Sequence, residues 1–529
     1  MRPRTEGPGR HPRATPRGAA AALALLASAA CAGAAPETSA ATRIALQGTA
    51  GVPACATCHG TAGEGMAASG SPRLAALPAA YLRTQLDALA NGSRPSAVMA
   101  PLARGLSGEQ RVQLAHYYAA LPAPAHPSPA SREAPSLAVR GRWSQELPPC
   151  VQCHGERGSG IGAIPALAGQ PATYTAAQLR AWKDGTRRGD PLGLMQKIAA
   201  RLSDADVRAV ADYFAAPPAS AAARRGTARP GEAAPRTGST SASGVARGAE
   251  AAFAPSDEPI PDDDFGKVVQ FGRDVFENPA KYASRYVGND LRCSSCHLDA
   301  GRRVGSAPMW AAYVSYPAWR AKNRHVNTFA ERVQGCFRYS MNGRAPPLGD
   351  PVLVALESYS YWMARGAPVD PNIAGRGYIK PAPPALPPDA ARGARVYARS
   401  CALCHGENGA GQRANDGSRA FPALWGDNSF NWGAGMVNVG YAAAFIKSNM
   451  PLSQGNTLSD QDAWDVALFV DSHERPQDPR YTGSVAKTRA LYHDTDDSLY
   501  GKVVDGYLLG SKAVPPGRRA QNGSGHVER

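Results

Sequence analysis

At 529 residues the chain is too long for a single hydrophobic core, and several domains of roughly a hundred residues each are expected. Its net charge of +15 fits anionic partners or a basic pocket, although the excess lies in arginines spread through an Ala-, Gly- and Pro-rich sequence and compositional bias accounts for much of it. No stretch reads as a nucleic-acid module, so no nucleic-acid partner is expected.

Residues 1–35 read as an export signal. Arg2, Arg4, Arg10, Arg13 and Arg17 form a basic region, Ala19 to Ala30 a short apolar run, and small residues follow. The run is too short to span a membrane. Cys31 follows Ser28-Ala29-Ala30, a lipoprotein-like box that lacks leucine three residues before the cysteine. Cleavage near Ala34 is favoured, a periplasmic location is expected, and membrane attachment would require lipidation at Cys31.

The next two stretches, 36–125 and 126–215, repeat one pattern. The first carries Cys55-Ala56-Thr57-Cys58-His59-Gly60 and the second Cys150-Val151-Gln152-Cys153-His154-Gly155. C-x-x-C-H is the spacing at which two thiols bond covalently to a haem and the adjacent histidine takes its iron. It recurs at Cys293/Cys296/His297 and at Cys401/Cys404/His405, so the chain reads as a tetrahaem c-type cytochrome with four covalent haems. Each of the first two units ends in a predicted helix, Leu106 through Tyr118 and Leu202 through Phe214, with Ser107 and Ser203 as N-caps. The pairs Tyr117/Tyr118 and Tyr213/Phe214 fall where that helix would pack on the fold. This is an internal repeat of a whole domain.

Spacing nominates the sixth iron ligands. Met99 lies 40 positions after His59 and Met195 lies 41 after His154. A thioether opposite histidine raises the haem potential and saturates the iron, which suits electron transfer. The alternative, that each methionine only fills core, does not explain the near-equal spacing and matching helices. His116 is read as structural, and His126 lies in a Pro-rich connection.

Residues 216–255 are Ala, Pro, Gly, Ser, Arg and Thr with almost no large apolar side chains, the composition of a flexible linker. Beyond it, 376–490 follows the earlier template. His405-Gly406 is followed 45 positions on by Met450, and a closing helix starts at Leu458-Ser459-Asp460. The unit at 256–375 departs from it. His297 lacks the following glycine, and Trp310, Tyr313, Tyr316, Trp319, Arg320, Lys322, Arg324, Arg338 and Arg344 crowd the vicinity. Residues 491–529 form a tail that wraps back over this half. The expected fold is mainly α: four class I cytochrome c-type haem domains in two pairs joined by the linker.

The third haem has three candidates for its sixth ligand: Met341, Cys336 and His325, at 44, 39 and 28 positions after His297. Spacing alone does not separate Met341 from Cys336, and a buried free cysteine is a common core residue. Chemistry favours Cys336. Four motifs use eight of the ten cysteines, Cys31 sits in the leader, and a free thiol in an oxidising compartment needs shielding or a use. Iron would deprotonate it and Arg332 and Arg338 would stabilise the thiolate.

Longer phrases then carry a resemblance. Cys293-Ser294-Ser295-Cys296-His297-Leu298-Asp299-Ala300-Gly301-Arg302, Tyr316-Pro317-Ala318-Trp319-Arg320, Gln334-Gly335-Cys336-Phe337-Arg338-Tyr339-Ser340-Met341-Asn342-Gly343, Phe430-Asn431-Trp432-Gly433-Ala434-Gly435-Met436 and Ser472-His473-Glu474-Arg475-Pro476-Gln477-Asp478-Pro479 make residues 262 to about 510 resemble the dihaem thiosulfate dehydrogenase (tetrathionate synthase) family. The resemblance implies a catalytic haem ligated by His297 and Cys336 and an electron-exit haem ligated by His405 and Met450. Some relatives carry lysine just before that methionine; Asn449 stands here, which puts a ligand switch in doubt. The N-terminal half resembles a two-domain dihaem cytochrome c that accepts electrons from this enzyme.

The implied reaction joins two thiosulfates into tetrathionate and passes two electrons through the His/Met haems to an external acceptor: a cytochrome, another high-potential carrier or a terminal oxidase. Two dianions must meet, so a cationic pocket is required. Arg320, Lys322, Arg324 and Arg338 are the nearest supply, the arginine fork suits sulfonate oxygens, and Ser340 and Asn342 add neutral donors. Cys336, Arg338, Ser340 and Arg320 are the candidate catalytic residues. The competing readings are tetrathionate reduction at the same site, a tetrahaem electron carrier without substrate, and a sulfur-oxidising cytochrome that conjugates thiosulfate to a carrier protein.

Overall fold

Helices dominate because the chain alternates short amphipathic segments with Gly- and Pro-rich turns. The computed structural model describes residues 39–123, 134–215, 253–255, 259–370, 372–413 and 419–513. The expected leader with Cys31, His126 and most of the expected linker lie outside the described residues. No helix of the described residues is long and apolar enough to cross a membrane.

The first repeat comprises α1 (Ala40–Gln47), α2 (Ala79–Asn91), α3 (Met99–Gly105) and α4 (Gly108–Ala120). The second comprises α5 (Ala172–Lys183), α6 (Leu194–Ala200) and α7 (Asp204–Phe214). Both closing helices start at the predicted serines. Ser107 accepts from Gln110 N and Ser203 from Asp206 N, each 3.1 Å, and each Gln110 or Asp206 side chain returns a bond to the cap backbone. Such caps contribute about 1 kcal/mol each. The aromatic pairs sit edge to face, Tyr117/Tyr118 at 5.0 Å and Tyr213/Phe214 at 4.8 Å. His116 is exposed.

In the C-terminal half, α8 (Asp264–Glu277) is followed by α9 (Met309–Val314), a hairpin of β1 (Ala318–Arg320) and β2 (His325–Asn327), α10 (Phe329–Gly335) and α11 (Pro351–Ala364). Then come α12 (Ala390–Ser400), α13 (Val439–Asn449), α14 (Asp460–Asp471) and α15 (Val485–Tyr492). The hairpin is antiparallel, with Trp319 opposite Val326 and Arg320 opposite His325.

The same crossing recurs in both C-terminal units. The first helix of the unit packs on the closing one, α8 on α11 and α12 on α14, and glycine sits where the backbones meet. A Cβ on Gly272 would lie 2.0 Å from the Ala355 carbonyl oxygen, and one on Gly393 would lie 2.1 Å from that of Asp465. Val269, Val275, Leu353, Leu356 and Tyr359 fill the first crossing, all at most 2 % exposed, and each large apolar side chain so buried contributes about 1.5–3 kcal/mol.

The halves touch. Arg303 donates to Glu146 at 2.8 Å, and Arg201 donates to the Ser453 carbonyl at 3.5 Å. Gln454 Nε2 donates to the Leu192 carbonyl at 3.1 Å while its oxygen accepts from Lys197. The segment after Met450 is thus tied to the segment carrying Met195. Ile161 and Phe421 are buried together, packed against Cys153 and Cys404.

Candidate active site

Each C-x-x-C-H turn presents its histidine in one way. The Nδ1 atoms of His59, His154, His297 and His405 donate to the carbonyls of Pro72, Pro165, Ala307 and Pro422 at 2.9, 2.8, 2.7 and 2.9 Å. A carbonyl only accepts, so Nδ1 carries the proton and the Nε2 lone pair is left for a metal. Burial pushes all four histidines down, His297 to about 4, and a neutral imidazole is the ligating form. Among the described residues no disulfide joins any cysteine.

Haem fits these residues. One cavity of about 650 Å³ is lined by Cys55, Cys58, His59 and Met99 and by Cys153, His154 and Met195, so the two repeats open into a shared space. On its wall Arg94 donates to Tyr174 (2.9 Å), Gln178 (3.0 Å) and Gln85 (3.1 Å), and Arg187 donates to Gln178 (2.7 Å) and Gln85 (2.6 Å). Among the described residues neither guanidinium has a carboxylate partner. Two charges so placed call for anions, which porphyrin propionates carry.

The third unit is built differently on its far side. Thr328 caps α10 in a capping box with Glu331, and the helix then widens into a single π-turn over Cys336–Ser340. Such turns recur at functional sites because they re-aim a side chain. Cys336 Sγ accepts from Arg332 Nη1 at 3.0 Å, a charge-assisted contact. The same sulfur acts on the motif cysteines: Cys296 is pushed up to about 12 by burial and then by Cys336, and Cys293 moves the same way. Met341 is 3 % exposed within the apolar core. His325 is taken up by Asn327 at 2.8 Å and lies 3.7 Å from Glu331.

The cations gather from two units. Lys322, at the tip of the β1–β2 hairpin, is exposed as a residue, but its amine turns inward. Nζ bonds the Gly433 carbonyl and sits over the Tyr339 ring, 3.8 Å from its centroid. Desolvation of that amine, then Arg480, Arg332 and Arg320, push it down to about 7, against an opposing pull from Asp478. Arg480 also lies over Tyr339, at 5.2 Å. It is held by Asp478, Nε to Oδ1 at 3.0 Å and Nη2 to Oδ2 at 2.6 Å. His493 Nε2 donates to the same carboxylate at 2.9 Å. Burial alone would raise Asp478; the bonds from His493 and Arg480 overcome it and hold the carboxyl well below its usual range.

The residues named from the sequence separate accordingly. Arg320 donates to the Tyr316 hydroxyl at 2.8 Å and acts on Lys322. Ser340 is half-buried, its carbonyl accepting from Asn289. Arg338 is exposed; the guanidinium that reaches the thiol is that of Arg332, one helical turn before it. Arg324 is exposed as well, and Asn342 is buried with its side chain committed to Asn431 at 3.1 Å. Met450 is half-buried at the end of α13. Arg480, Asp478 and His493 were missed. Asp478 stands in one of the phrases that carry the resemblance and Arg480 two places after it, in the stretch assigned to the fourth unit, whereas His493 lies in the stretch read as the tail.

Residues 280–369 match the family described as SoxA/TsdA, cytochrome c domain, 148–216 match cytochrome c, and 388–470 match cytochrome c oxidase, cbb3-type, subunit III. The chain is 58 % identical over 275 residues to a thiosulfate dehydrogenase of Thiomonas intermedia, covering 52 % of this chain and 87 % of that one. A thiosulfate dehydrogenase electron acceptor of the same organism is 48 % identical over 172 residues, covering 31 % and 79 %. The solved structure of thiosulfate dehydrogenase (TsdBA) from Marichromatium purpuratum superposes with a TM-score of 0.79 at 43 % identity, covering 90 % of this chain and 99 % of that one.

Proposed function

The chain belongs to the thiosulfate dehydrogenase family, and we propose that it joins two thiosulfates into tetrathionate at Cys336. It is an oxidoreductase acting on a sulfur donor with a cytochrome acceptor, made of mainly helical cytochrome c domains. We assign four covalent haems, on Cys55/Cys58, Cys150/Cys153, Cys293/Cys296 and Cys401/Cys404. His59 with Met99, His154 with Met195, His297 with Cys336 and His405 with Met450 would hold the four irons. The organisation is two haem domains at 36–125 and 126–215, a linker at 216–255, a catalytic domain at 256–375 and an electron-transfer domain at 376–490. Export to the periplasm fits covalent haem attachment.

The observation that carries the reading is the 3.0 Å contact between Arg332 Nη1 and Cys336 Sγ, beside the His297 motif. The guanidinium aims an N–H at the sulfur, a charge-assisted contact that holds the side chain in place. In the proposed chemistry the thiolate and the outer sulfur of one thiosulfate form a disulfide bond, giving cysteinyl-S–S–SO₃⁻ and releasing two electrons. The outer sulfur of a second thiosulfate attacks the sulfur that bears the SO₃ group. The S–S bond to Cys336 breaks, tetrathionate leaves, and the thiolate is restored, as in thiol–disulfide exchange. Haem, when bound, supplies the acceptor for the electrons, one for each iron. The residues of the chain hold the thiolate, concentrate the dianions and separate their charge.

The packing of Cys153 and Cys404 on one buried pair, Ile161 and Phe421, and the Gln454 tie between the segments of Met195 and Met450, support an exit from the catalytic half through the N-terminal half to an external acceptor. A Cys336→Met variant tests the reading. It is expected to keep four haems and lose thiosulfate-driven haem reduction, and near-normal turnover would contradict the role of the thiol.

A further inference from the structure

One electrostatic feature is left over by the chemistry above. Arg332 is engaged at Cys336, yet two further cations, Lys322 and Arg480, gather over Tyr339, three residues on from that cysteine. Lys322 has three donors, of which one meets the neutral Gly433 carbonyl. Among the described residues the ammonium forms no ion pair with a carboxylate. Its strongest charged neighbour is another cation, Arg480. Crowding like charges disfavours the empty pocket, and the arrangement is relieved by a multiply charged anion between them.

The wall is rigid and joins two units. Arg480 spends Nε and Nη2 on Asp478, and among the described residues Nη1 has no protein partner. Asp478 is fully buried and pinned by His493, whose Nδ1 meets the Ser498 hydroxyl at 3.3 Å. Tyr339 lies under both cations, and its ring comes so close to Gly433 that a Cβ there would stand 2.5 Å away. The third unit brings Lys322 and Tyr339; the stretch after the fourth unit's closing helix brings Arg480.

We propose that Lys322 and Arg480, both seated over Tyr339, form a second anion subsite of the Cys336 pocket, which takes a divalent sulfur oxyanion and holds the attacking thiosulfate. This rests on the reading of Cys336 as the sulfur that carries the first. Bond formation between two dianions is opposed by their repulsion, and a separate pair of cations for the second lowers that barrier without competing for Arg332. Arg480 thereby becomes a substrate-binding residue supplied by the electron-transfer domain.

The test uses the tetrahaem holoenzyme under anaerobic conditions. Haem reduction is followed against thiosulfate concentration for wild type, Arg480→Gln, Arg480→Lys and Lys322→Met. Separately, protection of Lys322 from amine acylation by sulfate, a redox-inert divalent oxyanion, is read by peptide mass. Loss of a charge-assisted bond to the anion is expected to raise half-saturating thiosulfate about tenfold or more in Arg480→Gln and Lys322→Met. The limiting rate should fall as well, because the same pair offsets the repulsion in bond formation, and Arg480→Lys should recover most of both losses. Sulfate should protect Lys322 in wild type and lose that effect in Arg480→Gln. Lys322→Met leaves the Asp478–Arg480–His493 contacts intact, so it decides the matter if Arg480→Gln does not fold. Unchanged half-saturation in both variants, or no sulfate protection in wild type, overturns the subsite. In the same assay Cys336→Met should abolish reduction but keep sulfate protection; reduction persisting there overturns the reading of Cys336 instead.

Discussion

The third and fourth units share a scaffold and differ on one side of it. Both cross their first and last helices at a glycine, Gly272 and Gly393, and both fix the motif histidine through Nδ1 to a carbonyl. The fourth unit carries Met450 at the end of a regular helix. The third offers a π-turn thiol with a guanidinium 3.0 Å away and two more cations over a tyrosine. Electron transfer asks only for a saturated, buried iron site, whereas sulfur chemistry asks for a nucleophile and countercharge. In the proposed reaction the second demand is met by re-aiming one side chain and borrowing Arg480 from the neighbouring unit.

The contrast breaks hardest at Arg332. Arg332→Gln is expected to lower kcat/KM for thiosulfate by about a hundredfold or more, measured by steady-state assay. Lys447→Met in the fourth unit, which removes an ion pair to Asp460 at 3.1 Å, should leave it within about twofold. The shared scaffold should break equally in both units. Gly272→Ala and Gly393→Ala push a methyl into backbone carbonyls and are each expected to cost about 1–3 kcal/mol or more, read by denaturant unfolding of the holoenzyme.

Much of the scaffold was legible because it rests on local rules. Ser107, Ser203 and Ser459 each begin a closing helix, since a cap followed by an amphipathic run is contained within a dozen residues. The four histidine turns follow from spacing alone. The site was legible only in part. Cys336 stood out by counting and Arg332 and Arg338 as its flanking cations; a helix places the residue four before, Arg332, against the thiol, while Arg338 is exposed. Arg480 reaches the pocket across 144 positions from Cys336, and no local pattern encodes that approach.

A gentler probe is pH. Lys322 is pushed down to about 7, and a bound dianion favours its charged form. Below that pH the amine is charged and KM should be flat. Above it the charge is lost and KM should climb, by up to about tenfold per pH unit. Lys322→Arg should flatten the climb, because a guanidinium stays charged. The smallest effect is expected from Ser203→Ala, a loss of about 1 kcal/mol in thermal unfolding with turnover unchanged.

The role of the Cys336 sulfur is tested most directly by mass spectrometry of the oxidised holoenzyme after anaerobic exposure to tetrathionate. Thiolate exchange needs no net electrons: Cys336 takes an S–SO₃⁻ group and one thiosulfate is released. The expected result is that added mass on the peptide containing Cys336, absent from Cys336→Met and removed by excess thiosulfate. An unmodified Cys336 peptide in an enzyme that still turns over thiosulfate would contradict it.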